Sequence, residues 1–550
     1  MHSVRIAMDG QSLSVPAGTP IEAILGAARV HTERIVGALL DNHLVSLSTS
    51  VDGDARLRPV IAGSAEGEPL IRRAACLVLH AAAARRYPHL RIAVGQSLLG
   101  GYFYEVSTTD GAPPPLETLA ATLTEDIEAL CAGAHPLVTS TIPVEAAAYA
   151  LTAFSTARER LLRAWVAPLL SVIHLGTHTD LSHGPYPPST AAASGAHVIA
   201  YPPGLLLLFP GASAPTTPEA GRRVWEAYRE TRDWNRTVGV ASVGDLNMAA
   251  LEDRFGETVR VAEALHEKKI AEIADRVASR PELRCVCIAG PSSSGKTTFG
   301  QRLSVQLRVN GIEPVVLNLD DYYRDRAAMT PEPDGELDFE AVDALDLPLL
   351  RAQLTALAGG EAVLVPRFDF VAQRRADPSA SRTLQLGPGR VLLLEGIHGL
   401  NPHITDALPA AMTFKVFVSA MTQLVVDEHT RLTTTESRLL RRLVRDRRYR
   451  NTTAADTIAR WPSVRRGEER HIFPFQESAD VVFNSALVYE TSVLRTFAWR
   501  FLLEVPRTHP SRQVAYQLLR LIEMFIPVLP DDVPPTSVLR EFIGGSAFSY

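Results

Sequence analysis

The first sixty residues alternate between apolar and polar positions in short stretches. Apolar side chains occupy every second position over residues 4–8 and again over 13–15, with the turn-forming pair Asp9-Gly10 between them. A second hairpin pattern covers residues 36–47. Alternation with a period of two is typical of strands that bury one face, so we predict a small α+β unit here.

Helical patterns mark other stretches of the chain. Thr19 and Glu22 have the spacing of a capping box, which predicts a short helix and, with the strands around it, favours a β-grasp module. Residues 71–87 are rich in alanine and leucine, and residues 261–279 repeat apolar side chains at helical spacing. We predict that residues 462–550 are largely helical.

The second half of the chain alternates buried strands with helices. Apolar runs at 284–289, 314–319, 391–394 and 414–418 have the length of strands, and a helix is predicted at 298–309. This alternation predicts a parallel sheet that helices cover on both faces. The predicted fold class is therefore α/β in a multidomain chain, with α+β modules in front of the parallel sheet.

The composition is that of an ordinary globular protein. The 550 residues are 46% hydrophobic and 21% charged, and the formal net charge of -6 gives no reason to expect bulk binding to nucleic acid or anionic membranes. No apolar stretch approaches the ~20 residues of a membrane span, and the first residues lack the apolar core of a signal peptide. Four cysteines without a C-x-x-C pair predict buried thiols in a reducing compartment. We expect a cytoplasmic protein.

The strongest chemical motif is a G-x-x-x-x-G-K-T sequence, which lies between a predicted strand and a predicted helix. Its glycines let backbone N–H groups turn towards phosphate oxygens, and the helix N-terminus adds positive potential. We expect Lys296 to reach the β- and γ-phosphates of ATP and the Thr297 hydroxyl to bind Mg²⁺. The predicted ATP-binding residues of this motif are Gly290, Pro291, Ser292, Ser293, Ser294, Gly295, Lys296, Thr297 and Thr298.

Acidic residues follow two of the predicted strands. Asp320 closes the strand at 314–319, and Glu395 comes directly after the strand at 391–394. Both therefore fall at the carboxyl edge of the sheet, where open α/β folds bind their ligands. A carboxylate at this edge can accept the proton of an attacking hydroxyl or hold a metal, and Glu395 has the position of an acid that acts on Mg²⁺.

An arginine-rich stretch covers residues 438–450. In a helix, Arg438, Arg442 and Arg445 would share one face. Guanidinium groups there could close over ATP and stabilise charge on the transferred phosphoryl group. The alternatives are a solvated basic helix and an RNA-binding stripe, although Tyr449 is the only aromatic residue within the stretch.

Together these segments resemble the uridine kinase and phosphoribulokinase family of P-loop kinases over residues 283–485. The resemblance implies that Asp320 is the general base and that Arg442, Arg445 and Arg450 belong to a lid over ATP. Where uridine kinases carry a histidine that contacts the base, this chain has a glutamine, which can also bond a base edge. The implied acceptor-binding residues are Tyr323, Glu340, Phe368, Phe370 and Gln373.

The resemblance implies an ATP- and Mg²⁺-dependent phosphotransferase that acts on a small acceptor. Its expected reaction transfers the γ-phosphate of ATP to the 5′-hydroxyl of a uridine- or cytidine-like nucleoside, with Lys296, Asp320, Arg442 and Arg445 as catalytic residues. A sugar phosphate is an alternative acceptor, for which Arg374 and Arg375 would supply positive charge. An ATP-gated regulator that binds RNA or the ribosome is an alternative of another class.

The amino-terminal half resembles the front of threonyl-tRNA synthetases, namely a TGS domain followed by the second additional domain that performs editing there. The similarity lies in residues 79–88, 100–104 and 180–190. That editing domain uses an H-x-x-x-H pair and a C-x-x-x-H pair, which align here as Cys76 with His80 and Ser182 with Tyr186. Of these four, His80 alone keeps the residue type of the family.

Three other histidines lie nearby, but their spacing does not rebuild the editing motif. These are His174, His178 and His183. We therefore expect no editing activity and no zinc, while RNA binding by this half stays open.

The whole arrangement resembles a group of long bacterial proteins known as nucleoside or uridine kinases. Residues 539–546 share in that resemblance, and we assign them no chemical role. The predicted domains are a TGS-like β-grasp domain at 1–62, a synthetase-like region at 63–218, a helical connector at 219–281, a P-loop kinase domain at 282–490 and a helical tail at 491–550.

Overall fold

A computed structural model of the chain describes residues 2–8, 10–28, 34–151, 155–212, 221–329, 338–369, 372–422 and 424–549. The first unit is a five-stranded sheet in the order β2-β1-β7-β4-β5, in which β1 and β7 are parallel and the other neighbours antiparallel. Its helix buries Ile21, Ile24 and Leu25 against this sheet. The elements are β1 (Ser3–Met8), β2 (Gln11–Pro16), β3 (Thr19–Pro20), α1 (Ile21–Ala27), β4 (Ile35–Leu40), β5 (His43–Val45), β6 (Ser50–Val51) and β7 (Ala55–Ile61).

The start of α1 differs from the prediction. Pro20 occupies the N-cap position without a side-chain cap bond, and the Thr19 hydroxyl donates to the Pro16 carbonyl at 2.6 Å. The N–H groups of Ile21 and Glu22 instead donate to backbone carbonyls of residues 47–49, each at 3.0 Å. The predicted capping box is wrong because tertiary backbone bonds already satisfy the donors that it would serve.

Two antiparallel sheets follow, in the orders β13-β14-β9-β8 and β10-β11-β12. Helices α2 and α3 share an apolar core with both sheets. The elements are α2 (Glu68–Arg86), β8 (Leu90–Leu98), β9 (Gly101–Thr108), α3 (Leu116–Ala132), β10 (Val138–Pro143), α4 (Val144–Leu151), α5 (Thr156–Arg163), β11 (Leu169–Leu175), β12 (His178–Leu181), β13 (His197–Tyr201) and β14 (Gly204–Leu208). The family assignments of these first units stay predictions, and the boundary predicted at 218 lies outside the described residues.

The second half holds the predicted parallel sheet. All five of its strands run parallel, in the order β16-β21-β15-β22-β23. The helices and strands of this half are α6 (Arg222–Thr237), α7 (Val243–Leu251), α8 (Phe255–Ala278), β15 (Cys285–Ala289), α9 (Lys296–Val309), β16 (Glu313–Asn318), α10 (Leu347–Ala358), β17 (Ala362–Val365), β18 (Phe368–Asp369), β19 (Arg374–Arg375), β20 (Arg382–Gln385), β21 (Arg390–Glu395), α11 (Pro402–Thr405), β22 (Thr413–Ser419), α12 (Thr434–Tyr449), α13 (Ala454–His471), β23 (Val481–Asn484), α14 (Glu490–Leu503), α15 (Arg512–Glu523) and α16 (Arg540–Ile543).

Helices cover both faces of the parallel sheet, as predicted. Apolar residues of α8 and α9, among them Ile270 and Phe299, join one core with β15 and β22. Residues of α6 and α10, among them Trp225 and Leu350, form a second core on the other face of the sheet. Alternate residues of β15, beginning with Cys285, belong to this core. Parallel strands buried on two sides need this apolar content along their whole length, which explains the unbroken hydrophobic runs in the sequence.

The carboxyl-terminal region is only in part helical. Strand β23 (Val481–Asn484) pairs with β22 and completes the parallel sheet, which the prediction of a largely helical stretch from residue 462 missed. Four buried residues in a row do not distinguish a strand from part of a helix.

The described residues contain no helix that combines the length and the apolar character needed to cross a bilayer. The four cysteines are all buried and unpaired, as predicted.

Candidate active site

Residues 290–297 form a tight loop between β15 and α9. Ser293 and Gly295 have φ angles of +58° and +84°, in the left-handed region that favours glycine. A Cβ atom at Gly290 would stand 2.0 Å from the carbonyl oxygen of Val418, so another residue would not fit at that position. The loop ends at Gly295, the N-cap of α9, which places the first N–H groups of this helix at the positive end of its dipole.

The polar groups inside this loop fit an anionic ligand such as a triphosphate. The hydroxyls of Ser293 and Ser294 are buried and have no hydrogen-bond partner among the residues that the structure describes. Lys296 is only 8% exposed, and its Nζ donates to the Pro291 carbonyl at 3.2 Å. A buried ammonium beside unpartnered hydroxyls calls for negatively charged oxygens.

The residues predicted to bind Mg²⁺ lie next to each other. Glu395 ends β21, is 8% exposed and accepts a hydrogen bond from Thr297. Burial raises the pKa of Glu395 to about 7, against the lowering effect of Lys296, and the negative charge of Asp320 raises it further. A carboxylate and a hydroxyl that approach from two elements are oxygen ligands of the kind that Mg²⁺ prefers.

Asp320 follows β16, the neighbour of β21 in the sheet. Burial raises the pKa of Asp320, and the positive charges of Lys296 and Arg450 oppose that rise. The adjacent Asp321 has different surroundings. Burial raises its pKa as well, but the positive charge that opposes this rise most strongly is that of Arg382. The structure therefore brings Asp320, and not Asp321, together with Lys296.

The predicted acceptor residues line up beside these acids. The rings of Tyr323 and Phe368 are 5.6 Å apart, and the Tyr323 hydroxyl donates to the Phe339 carbonyl at 2.9 Å. Glu340 touches α13, where a Cβ atom on Gly467 would stand 2.3 Å from the Glu340 Cβ. Burial raises the pKa of Glu340 to about 7, and repulsion from Glu468 adds to the rise.

Two predicted acceptor residues have a different status. Gln373 is exposed, and its Oε1 accepts a hydrogen bond from Arg326 at 2.6 Å, so its side chain contacts another part of the chain in this structure. Phe370 lies outside the described residues. Arg375, considered for a sugar phosphate, pairs with Asp346 at 2.8 Å, while Arg374 is exposed.

The arginines of helix α12 have different surroundings. Arg438 and Arg441 are fully buried; Arg438 donates to the Ser292 carbonyl at 2.9 Å, and Arg441 donates to the Ser485 carbonyl at 2.8 Å and, at 3.4 Å, to the Ser293 carbonyl of the same loop. The interpretation of Arg438 as a group that closes over ATP is wrong, because Arg438 is buried and its charge is paired with Glu468.

Arg442 and Arg445 of α12, and Arg450 directly after it, gather around one carboxylate, whereas Arg447 pairs with Glu504. Asp446 lies within 3.3 Å of Arg442, 3.0 Å of Arg445 and 3.7 Å of Arg450. Arg442 also donates to the Ser292 hydroxyl at 2.8 Å. Repulsion from Arg445, followed by burial, lowers the pKa of Arg450 to about 10. Three positive charges around one negative charge leave a surplus that suits a triphosphate.

Two residues that the sequence did not indicate hold the phosphate loop. Glu468 on α13 is fully buried and accepts the Ser292 N–H at 3.0 Å, in addition to its pairing with Arg438. Glu541 on α16 accepts from Thr298, at 3.3 Å from the backbone N–H and 2.7 Å from the hydroxyl. The segment to which we assigned no role therefore places a carboxylate at the N-terminus of α9.

Comparison with known proteins identifies the family. The family model described as "Phosphoribulokinase / Uridine kinase family" matches residues 285–492. The uridine kinase of Deinococcus deserti is 33% identical over 196 residues, which are 36% of this chain and 84% of that protein. The chain belongs to the phosphoribulokinase/uridine kinase family.

Two further relatives cover the same kinase domain. The uridine kinase of Chlamydia pneumoniae is 31% identical over 36% of this chain and 78% of its own length. That of Lactobacillus johnsonii is 29% identical over 36% of this chain and 83% of its own length. These matches establish a P-loop kinase, that is, a phosphotransferase, and each of them covers 36% of this chain.

Proposed function

We propose that the chain is an ATP-dependent nucleoside kinase that phosphorylates a 5′-hydroxyl. The observation that carries this proposal is the convergence of Lys296, at the start of α9, with Glu395 and Asp320, at the ends of neighbouring strands. A loop suited to a triphosphate is on one side of this group. Tyr323 follows Asp320 by three residues and feels its charge, and the ring of Phe368 is 5.6 Å from the Tyr323 ring. The names of the relatives support a nucleoside as the acceptor.

Each group has one task in the proposed reaction. Lys296 and the amides of the loop hold the triphosphate, and Thr297 and Glu395 hold Mg²⁺. When bound, ATP with Mg²⁺ supplies the phosphoryl group. Asp320 accepts the proton of the acceptor hydroxyl as that oxygen attacks.

The arginines and the acceptor residues complete the proposed site. Arg442, Arg445 and Arg450 hold the charge of the transferred group and exclude water, which would otherwise compete as acceptor. Tyr323 and Phe368 offer aromatic faces to a base, and Glu340 accepts hydrogen bonds from the ribose hydroxyls.

The first test measures transfer of phosphate from labelled ATP to a panel of ribonucleosides, deoxynucleosides and pentose phosphates. We expect a labelled product with one nucleoside class, and we expect Lys296→Ala to lower kcat/KM on the order of 1000-fold, because the buried ammonium faces the transferred charge. Lys415→Ala on β22 is the matched control and keeps activity within about threefold.

The panel also separates the alternatives. A product with pentose phosphates alone would replace the nucleoside by a sugar phosphate. ATP turnover without any labelled acceptor, together with RNA binding that changes with ATP, would contradict the proposal and favour the regulator.

A second prediction concerns the pH dependence of acceptor binding. With its pKa raised to about 7, Glu340 keeps its proton below that pH and is a full acceptor only above it. We expect the KM for the nucleoside to rise about tenfold from pH 8 to pH 6, while Glu340→Gln has a high KM that does not change over this range.

The control for this titration is Glu361→Gln, an exposed position before β17. It should keep the pH profile of the wild type. A wild-type KM that is flat between pH 6 and pH 8, or an unchanged slope in Glu340→Gln, would remove Glu340 from the acceptor site.

A further inference from the structure

A buried group of histidines and aspartates lies between the two halves of the chain. We call it the His–Asp cluster, and its members are His80, Asp180, His183, Asp427 and His429. His80 lies on α2, Asp180 and His183 lie in and directly after β12, and Asp427 and His429 lie in the segment between β22 and α12. The kinase site uses none of these side chains.

The donor atoms of the cluster approach one another closely. His183 Nε2 is 2.6 Å from Asp427 Oδ2, and His429 Nδ1 is 3.4 Å from Asp427 Oδ1. His429 Nδ1 is also 3.3 Å from Asp180 Oδ2. One ligand atom from each of His183, Asp427 and His429 lies within 4.8 Å of the others.

Several of these nitrogens lack a hydrogen bond of good geometry, although His429 Nδ1 lies near two carboxylate oxygens. Both ring nitrogens of His429, and Nε2 of His80, have no hydrogen bond to any residue that the structure describes. The side chain of His429 is 1% exposed, so bulk water does not serve them. The rings of His80 and His429 are 5.6 Å apart, which places both sets of unpartnered nitrogens in one small volume.

Hydrogen bonds and an ion pair with groups outside the cluster orient its two carboxylates. Asp427 Oδ1 accepts the backbone N–H groups of His429 and Thr430 at 3.1 and 2.7 Å, which leaves Oδ2 directed at His183. Asp180 Oδ1 accepts from the Leu181 N–H at 2.8 Å and is 2.7 Å from Arg158 Nη2. Outer hydrogen bonds of this kind fix the ligands of metal centres.

The local charge also calls for a cation. Arg158 pairs with Asp180 at 2.7 Å and with Glu428 at 2.6 Å. The side chains of Asp180 and Asp427 are 2% and 0% exposed, and their other charged or potentially charged partners are His178, His183 and His429. Neutral imidazoles would leave buried carboxylate charge uncompensated, which is costly, and a divalent cation would neutralise it.

We infer that the His–Asp cluster is a binding site for a divalent transition metal of the Zn²⁺ class, with His183, Asp427 and His429 as its ligands. Two imidazoles and one carboxylate suit such an ion better than Mg²⁺ or Ca²⁺, which prefer oxygen alone. Tetrahedral ligand atoms around zinc are roughly 3.4 Å apart, so the present spacing needs only small side-chain rotations. His80 Nε2 or Asp180 Oδ2 completes the set.

This inference departs from the sequence expectation that the chain holds no zinc. The editing motif consists of pairs within the synthetase-like region, whereas the ligands here come from that region and from the kinase domain. Binding therefore joins the two halves. It also fixes the segment that leads into α12, whose capping residue Thr433 lies four positions after His429.

The test uses the full chain after removal of metals with a chelator. Zn²⁺ titrated into this protein should bind at about one ion per chain by calorimetry and by elemental analysis, and Co²⁺ should give the visible absorption of a four-coordinate site. Zn²⁺ should also raise the unfolding temperature. We expect His429→Ala to weaken binding on the order of 100-fold or more.

Two further variants make the result decisive. His183→Gln keeps a side chain that can donate a hydrogen bond to Asp427, so this variant should fold. It should nevertheless lose the metal. His174→Ala is the matched control, because His174 bonds Ser140 and Thr179 at 2.7 and 2.9 Å and contributes no ligand. Less than about 0.1 Zn²⁺ per wild-type chain, or equal binding by His183→Gln, would overturn the inference.

Discussion

Asp320→Asn is expected to lower kcat by about 100- to 10,000-fold with little change in the KM for ATP. Asparagine keeps the size of the side chain but cannot take a proton from the acceptor hydroxyl. Asp320 is the carboxylate that shares its surroundings with Lys296 and Arg450, at the edge of the sheet beside Glu395. Steady-state phosphotransfer with the nucleoside identified by the panel measures the effect.

Asp321→Asn is the matched control for this result. The two aspartates are adjacent, but the positive charge with the largest effect on Asp321 is Arg382, and we place no reacting group beside it. Its kcat should stay within about threefold of the wild type. Equal losses in both variants, or full activity in Asp320→Asn, would show that Asp320 is not the base.

Glu468→Ala is expected to lower the stability of the kinase domain by about 3–5 kcal/mol and to weaken ATP binding. The substitution leaves Arg438, which is fully buried, without its counter-charge. It also removes the acceptor of the Ser292 N–H in the phosphate loop. For a domain of this size the loss corresponds to an unfolding midpoint lower by roughly 6–20 °C, measurable by calorimetry.

The neighbouring Glu469→Ala provides the comparison. The Glu469 side chain is 59% exposed and pairs with Arg465, so its removal should cost less than about 1 kcal/mol and leave ATP affinity unchanged. If both variants unfold at the same temperature, the buried pair contributes nothing beyond an ordinary surface contact.

The parallel sheet and the centre of the site could be predicted because their pattern is local. A P-loop needs eight consecutive residues between a strand and a helix, and the strand ends that carry Asp320 and Glu395 follow directly from the apolar runs before them. Parallel strands place their carboxyl ends at one edge of the sheet, independently of the other domains of the chain. The sequence therefore contained enough information to place these side chains together.

The remaining contacts could not be predicted because they join distant parts of the chain. Glu468 is 176 residues from Ser292, and His183 is 244 residues from Asp427. No sequence periodicity relates such distant positions. In the sequence of a helix such as α13, a buried glutamate also cannot be distinguished from an exposed one. The missed strand β23 and the absent capping box at Thr19 have the same origin, since tertiary pairing determined the outcome in both.

The contact between Glu541 and Thr298 has a consequence for the order in which the chain is made. The two residues are 243 positions apart, so the ribosome adds Glu541 roughly 10–50 seconds after Thr298 at ordinary rates of synthesis. The sheet and the phosphate loop can fold during this interval, but the N-terminus of α9 lacks its carboxylate until α16 arrives. Until then the Thr298 N–H and hydroxyl are without the acceptor that the finished protein supplies.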